Sequence, residues 1–317
     1  MVNKKISTIQ EYLQTNSVLR NTPIFIIGIM ERCGTNFLRD LLDLLPDCAV
    51  VPSPIDEDHF LNKGNFLIKY TDALQEEWKI HGKVDKGLID SLCWSIGYGL
   101  QLFLNLQTGF NKRPITKTPG VGNLSFFFKY FPNSHLLILV RDGRAVVESG
   151  IKTWKWRTTK AIRKWKNSAE KILEFDQANK DSEYRYLIVR YEDLMNKLES
   201  ELDRIFEFLG VDITNYNFDA ARNLPVRGSS EISKNDRGKV SWETVEKLSD
   251  FNPLERWAHW KRPMHARFNC IAMKCLKDFG YLPKQKKTDG ILWPLWVLWN
   301  YLADIGWFLK KLIKFNF

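Results

Sequence analysis

Three short runs of apolar residues lie along the chain, and each predicts a buried parallel strand. They occupy residues 24–27, 136–140 and 186–189. A strand buried on both faces reads as a continuous apolar run, whereas a half-buried strand alternates apolar and polar residues. After each run, a polar or glycine-containing turn leads into apolar residues at helical spacing. The chain therefore alternates strand and helix.

The helical patterns complete this reading of the fold. They cover residues 36–45, 144–153, 161–179, 194–209 and 254–279. Gly210 and Gly280 follow the last two, in the position where glycine commonly ends a helix. Alternating strands and helices predict an α/β fold with a central parallel sheet and helices on both faces. Ligands of such sheets bind at the carboxyl ends of the strands.

Composition and charge narrow the classes of partner. The 317 residues are 44% apolar and 26% charged, which excludes a disordered chain. The net charge of +10 favours an anionic partner, such as a nucleic acid, a membrane surface or a phosphorylated small molecule. Nucleic acid is disfavoured because the charge is dispersed and no nucleic-acid-binding module is visible. The five scattered cysteines form no CxxC pair, so we expect a reducing compartment, no disulfide framework and no metal site.

The loop after the first predicted strand has the form of an anion site. Arg32, Gly34, Thr35 and Asn36 lie where the strand turns into a helix. Free backbone N–H groups and the helix dipole attract phosphate there. It is not a Walker A loop, because Thr35 stands where the lysine of that motif belongs. The alternative is a tight turn whose glycine serves packing alone.

A second pair of residues follows the strand at 136–140. Arg141 comes directly after that strand, at the carboxyl edge of the sheet, and Ser149 comes about two helical turns later. Both side chains are placed to face one anion. The alternative is a local ion-pair cluster of Arg141 with Asp142 and Arg144.

The two loops together, in this order and each between a strand and a helix, resemble the sulfotransferases that use 3′-phosphoadenosine 5′-phosphosulfate (PAPS). The RDGRA form at 141–145 is most similar to tyrosylprotein sulfotransferases, and the heparan-type enzymes are also similar. The resemblance covers residues 23–283. It implies a P-loop NTPase-like fold and transfer of a sulfuryl group from PAPS to a hydroxyl or amine, without a metal.

The resemblance also implies a role for each matched residue. The first loop would hold the 5′-phosphosulfate, and Arg141 and Ser149 would hold the 3′-phosphate. Tyr191, in the segment VRYEDL, would lie near the nucleotide, although packing in the core is an equal alternative. The first-loop residues carried over are Arg32, Cys33, Gly34, Thr35 and Asn36. Cys33 and Asn36 depart from the family, which usually has serine or glycine and then threonine at these positions.

Two catalytic residues complete the site that the resemblance implies. Lys117, in ITKTP at 115–119, would meet the transferring group; the alternative is a solvated lysine on a loop. In-line transfer also needs a base for the acceptor proton. Aligned on the heparan-type pattern, Glu57 is that base, with Asp58 and His59 as alternatives. Aligned without gaps on the tyrosylprotein pattern, the position is Ser53, which cannot serve. A solvated charge run remains the other interpretation of residues 55–60.

The two ends of the chain bear on its location. Residues 1–22 contain no apolar core and so no signal peptide, which predicts a cytoplasmic protein. After a sulfotransferase domain at 1–283 and a charged linker at 284–290, residues 291–317 read as an apolar amphipathic helix. Its tryptophans and lysines suit peripheral contact with the inner face of a membrane. Packing of this helix on protein is the alternative.

The acceptor and the competing functions stay open at this point. The acceptor is expected to be a small molecule, a glycan or a lipid. The residues at 61–112 are expected to build part of its pocket or a lid. A nucleotide-dependent phosphotransferase is the first alternative function, and a non-catalytic, membrane-associated anion-binding protein is the second.

Overall fold

A computed structural model of the chain describes residues 22–224, 226–227, 244–245 and 252–283, together with the single positions 295, 298 and 302. The predicted linker at 284–290 and nearly all of the predicted C-terminal helix at 291–317 lie outside the described residues. No helix in the described ranges is long and apolar enough to span a bilayer.

A five-stranded parallel sheet forms the centre of the described fold. Its strands run in the spatial order β2-β3-β1-β4-β5. They are β1 (Ile24–Gly28), β2 (Cys48–Val50), β3 (Arg113–Thr118), β4 (His135–Val140) and β5 (Tyr186–Arg190). Each neighbouring pair is parallel. The three strands predicted from the sequence are present, and the apolar run of β4 is wholly buried, as a central strand requires.

Helices connect the strands in the alternating order that the sequence predicts. They are α1 (Thr35–Leu42), α2 (Gly64–His81), α3 (Lys86–Gln107), α4 (Phe127–Tyr130), α5 (Gly143–Trp154), α6 (Thr158–Asn179), α7 (Tyr191–Asn196), α8 (Leu198–Leu209), α9 (Phe218–Arg222) and α10 (Arg262–Asp278). A short antiparallel pair, β6 (Val226–Arg227) with β7 (Thr244–Val245), adds to this order.

Two helix predictions need correction. The helix predicted over 194–209 is two helices, because the backbone of Lys197 leaves the helical region (φ −141°, ψ 50°). The apolar spacing continues across this break, so the pattern did not reveal it. The helix predicted over 254–279 begins only at Arg262. Its first turn contains Pro263, whose fixed φ and missing N–H suit a helix start and disfavour a helix interior.

The chain divides into two compact units, and the sheet belongs to the first. Unit 1 comprises Met1–Arg141 and Lys171–Leu248. Its core is the apolar face of the sheet strands with an aromatic cluster in which Phe25 contacts Phe127 and Phe131. These rings bury large apolar areas, which stabilises the sheet from which the site loops emerge.

Unit 2 comprises Asp142–Glu170 and Ser249–Phe317. In it, the first turn of α5 packs closely on aromatic rings of α6 and α10. A Cβ atom at Gly143 would lie 2.4 Å from the ring of Trp165 and 2.7 Å from that of Phe268. A larger residue at this position would therefore force the helices of unit 2 apart.

Candidate active site

The loop between β1 and α1 has the backbone of an anion site. Gly34 adopts a left-handed conformation (φ 105°) and immediately precedes α1, and no side chain caps the helix there. A Cβ atom at Gly34 would lie 2.5 Å from the ring of Tyr191, so glycine is required by both conformation and space. The positive end of the α1 dipole thus opens on this loop, which favours a bound anion.

Arg141 lies against the same loop. Its Nη1 donates a hydrogen bond of 2.8 Å to the backbone oxygen of Arg32, and the side chain is buried. Its guanidinium carbon lies 4.2 Å from the ring centroid of Tyr191. The sequence prediction that Arg141 lies at the carboxyl edge of the sheet is therefore met, since β4 ends at Val140. The loop backbone, Arg141 and Tyr191 are brought together within unit 1.

Cys33 is the buried member of this loop. Its thiol is fully excluded from solvent, and burial raises its pKa from 9.0 to about 11. A protonated, inaccessible thiol contributes packing rather than nucleophilic chemistry. Thr35 is also buried, whereas Asn36 is partly exposed on the first turn of α1.

Ser149 lies on α5, in unit 2, and is buried. Its hydroxyl accepts a hydrogen bond of 3.1 Å from Nη1 of Arg256. The sequence analysis did not identify Arg256, because it lies in a segment wrongly predicted as helix. A buried arginine held beside a hydroxyl is a pair of donors suited to an oxyanion.

The local ion pair considered for the second loop is present in part. Asp142 caps α5 by accepting from the Arg144 N–H at 2.8 Å, and its carboxylate also accepts from Nη2 of Arg144 at 2.6 Å. The Arg144 guanidinium lies 3.9 Å from the ring centroid of Trp257. Asp142 and Arg144 thus bind each other and stabilise the start of α5 inside unit 2.

Lys117 lies in β3 rather than on a loop, so the alternative of a solvated lysine is wrong. Its side chain is 2% exposed. Its Nζ contacts Oε1 of Glu57, and Oδ2 of Asp56 lies 3.9 Å away. A buried ammonium needs such a partner, because an isolated charge is very costly to remove from water.

The segment around Glu57 pairs with β3 through a short parallel bridge, which brings it to Lys117. Glu57 pairs with Lys117 in parallel register, and the Lys117 N–H donates to the backbone oxygen of Asp56 at 3.1 Å. Side chains alternate between the two faces of such a segment. Glu57 therefore points to the same face as Lys117. The carboxylate of Asp58 instead accepts from the hydroxyls of Thr116 (2.8 Å) and Thr118 (3.2 Å), which lie on the opposite face.

This geometry distinguishes Glu57 from Asp58 and places His59 beside Glu57. The carboxylate of Asp58 is occupied by two hydroxyls and the Phe60 N–H, and burial raises its pKa. The side chain of Glu57 is 33% exposed, and its Oε2 lies 3.6 Å from Nε2 of His59. Glu57 thus has one oxygen on Lys117 and the other near the His59 ring, in a side chain that remains a third exposed.

Arg39 and Asp56 were also missed by the sequence analysis. Nη1 of Arg39 donates to Oδ2 of Asp56 at 2.9 Å, which ties α1 to the segment that carries Glu57. The only sequence signal was that Arg39 lies four residues after Thr35, on the same face of α1.

Comparisons with known proteins identify the family of this chain. A family model described as "Sulfotransferase family" matches residues 23–215, which is more than half of the chain. The chain belongs to the sulfotransferase family. The resemblance stated from the two loops is thereby confirmed.

Relatives of this chain are named protein-tyrosine sulfotransferases. Protein-tyrosine sulfotransferase A of Caenorhabditis elegans is 29% identical over 207 residues, which cover 61% of this chain and 51% of the relative. Protein-tyrosine sulfotransferase 2 of Gallus gallus is 24% identical over 259 residues, which cover 75% and 64%. The chain thus spans about half to two thirds of the length of these relatives.

Solved structures extend the likeness to the fold. The sulfotransferase domain of the Synechococcus PCC 7002 olefin synthase superposes with a TM-score of 0.52 at 22% identity, covering 83% of this chain and 96% of that one. The sulfotransferase domain of the curacin biosynthetic pathway gives a TM-score of 0.50 at 17% identity, with 83% and 99% covered. The predicted α/β fold with a P-loop-like parallel sheet is confirmed.

Proposed function

We propose that this chain transfers the sulfuryl group of PAPS to an acceptor hydroxyl or amine, with Glu57 as the base and Lys117 as the cation at the transferring group. The contact of the buried Lys117 ammonium with the partly exposed Glu57 carboxylate carries this proposal. It puts a cation and a proton acceptor side by side at the carboxyl end of β3, on the edge of the sheet where ligands of this fold class bind.

The residues divide the work of an in-line displacement. Glu57 accepts the acceptor proton at Oε2 as the acceptor oxygen or nitrogen bonds to sulfur. The bond between that sulfur and the 5′-phosphate oxygen breaks, and adenosine 3′,5′-bisphosphate leaves. Lys117 stabilises the negative charge that develops on this leaving oxygen. Positioning and charge stabilisation are the main sources of rate in such transfers.

The donor is held by the loop between β1 and α1. The left-handed turn at Gly34 and the dipole of α1 suit the 5′-phosphosulfate, and Arg32, Cys33, Thr35 and Asn36 complete the loop. Arg141 supplies a buried cation for the nucleotide, and the Tyr191 ring stacked on it fixes the direction of that guanidinium. That Arg141 and Ser149 hold the 3′-phosphate stays a prediction. The scheme requires no metal, and the described residues contain no cluster of metal-ligating side chains.

The acceptor is proposed at the level of chemical class. The named relatives act on protein tyrosine, which makes a peptide with an exposed tyrosine the first acceptor to test. The small molecules, glycans and lipids expected from the sequence follow. A phenol and an alcohol differ in how readily they lose a proton, so their relative rates report how strongly the reaction depends on Glu57.

Calorimetric titration of the chain with adenosine 3′,5′-bisphosphate, AMP and ATP tests the donor class. We expect binding that requires the 3′-phosphate and that falls at least tenfold in Arg141→Ala. Arg222→Ala is the matched control, because Arg222 makes exposed ion pairs with Glu199 and Asp219. Labelled PAPS, presented with the acceptor panel, then tests transfer.

The titration also separates the alternatives. Equal or tighter binding of ATP would favour a phosphotransferase, although Thr35 in place of the Walker lysine weighs against it. Binding of the bisphosphate without transfer to any acceptor would favour a non-catalytic anion-binding protein. Absence of binding to all three nucleotides would overturn the proposal.

A further inference from the structure

We infer that Arg39 and Asp56 form a clamp that positions Glu57 on Lys117 and links that placement to the helix at the donor loop. This inference rests on the proposed function. It assigns Arg39 and Asp56 as positioning residues that act through Glu57 and Lys117.

Arg39 connects α1 to the segment that carries the base. It lies one turn after Thr35, on the helix whose first turn faces the donor loop. Its Nε and Nη2 donate to Oδ1 of Asp40 at 3.0 and 2.7 Å, which fixes the plane of the guanidinium. Nη1 remains directed at Oδ2 of Asp56, at 2.9 Å. These are charge-assisted bonds with little exposure, the strong class of protein hydrogen bond.

Asp56 connects the clamp to Lys117. Its backbone oxygen accepts from the Lys117 N–H at 3.1 Å, so the residue next to Glu57 is bonded to β3 directly. Its carboxylate also lies 3.9 Å from the Lys117 ammonium. Two carboxylates, those of Asp56 and Glu57, thus face one ammonium.

The carboxylates of Asp56 and Glu57 compete for the Lys117 ammonium, and the charge of Arg39 determines which of them contacts it. Because Arg39 takes the Asp56 carboxylate, the ammonium of Lys117 is left to contact Oε1 of Glu57. Without the guanidinium, the Lys117 ammonium at 3.9 Å is the cation that the described part of the chain places nearest to the Asp56 carboxylate. Lys117 would then be shared, and Glu57 would lose the contact that orients it.

The test compares turnover with donor binding in Arg39→Gln. We expect kcat to fall by about 10- to 100-fold, while the affinity for adenosine 3′,5′-bisphosphate changes less than threefold. Arg39→Lys keeps the charge and should keep kcat within about fivefold of the wild type. Asp43→Asn is the matched control at the C-terminal end of α1: the Asp43 carboxylate accepts from the Val50 N–H and, among the described residues, makes no hydrogen bond or ion pair with Lys117, Asp56 or Glu57. Its kcat should not change.

The double variant Arg39→Gln, Asp56→Asn distinguishes positioning from general support of the fold. Removing the competing carboxylate frees Lys117 again, so its kcat should exceed that of Arg39→Gln by at least threefold. A purely structural role would make the double variant the worse of the two. That result, an unchanged kcat in Arg39→Gln or a parallel loss of turnover and nucleotide binding would each overturn the inference. Failure of the wild type to bind the bisphosphate or to transfer sulfuryl would instead overturn the proposed function.

Discussion

Two ion pairs in this protein each join a carboxylate to a buried cation, but the two pairs have different roles. Lys117 and Glu57 are sixty residues apart and meet because a loop docks on the edge of the sheet. Asp142 and Arg144 are two residues apart and meet within the first turn of α5. In the first pair the carboxylate is a third exposed, whereas in the second both side chains are less than a tenth exposed.

The difference in exposure separates a site from a structural contact. The oxygens of Asp142 are occupied by the N–H and guanidinium of Arg144, which itself lies on Trp257. Both carboxylate oxygens of Asp142 therefore accept from Arg144, and both side chains are almost excluded from solvent. Glu57 has one oxygen on Lys117 and the other near the half-exposed His59 ring, so its carboxylate keeps contact with solvent as well as with the buried cation. A pair whose carboxylate remains partly exposed is thus the better candidate for chemistry.

The largest effect on turnover should come from replacing Glu57, the more exposed partner of the first pair. Glu57→Gln keeps the shape but removes the proton acceptor, so we expect kcat to fall by about 10²–10⁴-fold. The free energy of unfolding should fall as well, because the buried Lys117 ammonium keeps only a neutral amide in place of its carboxylate partner. Initial rates with labelled PAPS and urea titration measure the two quantities.

Asp58→Asn is the matched control for this prediction. The Asp58 carboxylate supports β3 through Thr116 and Thr118, so its loss should lower stability and reduce kcat less than tenfold. If Asp58→Asn lost as much turnover as Glu57→Gln while remaining folded, the assignment of the base would be wrong.

Breaking the second pair should act on stability instead. Arg144→Ala leaves Asp142 charged and buried, which should lower the free energy of unfolding by about 3–5 kcal/mol in urea titration. Lys166→Ala removes a half-exposed pair with Glu170 on α6 and should cost less than about 1 kcal/mol. Equal effects of the two substitutions would contradict the contrast drawn from burial.

A partly buried arginine, Arg113, sharpens the comparison, because the partner that accepts its hydrogen bond must be neutral. Nη2 of Arg113 donates to Nδ1 of His135 at 2.7 Å. Burial, with the charges of Arg113 and Arg185, lowers the pKa of His135 to about 4. In the unfolded chain this pKa is about 6.5, so the unfolded state takes up a proton first as the pH falls. Stability from this group is complete above pH 6.5 and is lost between pH 6.5 and 4.

Urea titration across that pH range measures the loss. The slope due to one such group is at most about 1.4 kcal/mol per pH unit. His135→Phe should flatten the dependence between pH 6.5 and 5, after correction for its own lower stability. An unchanged slope in the variant would show that His135 is not the group that titrates.

The sequence predicted the central strands and the donor loop because both depend on local patterns. An apolar run of five residues marks β4, and Gly34 marks the turn into α1. Two strands were missed: the edge strand β2 has only three residues, and the inner strand β3 contains Arg113, Pro114 and Lys117. Their pairing with neighbours, rather than their composition, makes them strands.

The sequence could not distinguish Glu57, Asp58 and His59 as candidate bases for a related reason. All three lie in one polar run, and only the register of that run on β3 shows which side chain faces Lys117. The clamp of Arg39 and Asp56 has the same origin, since it joins two segments 17 residues apart. Register and docking are tertiary properties, whereas periodicity is local.

The backbone pairing along β3 is interrupted between Val51 and Asp56. This interruption has a consequence for how the family can diversify. The chain is bonded to β3 up to the Val51 N–H, leaves it, and returns at the backbone oxygen of Asp56. Residues 52–55 therefore work as a spacer whose length sets which acidic residue faces Lys117. Adding or deleting one residue there would exchange the faces of the whole run. The acidic residue that faces Lys117 can thus be changed by an insertion that leaves every strand of the sheet in place.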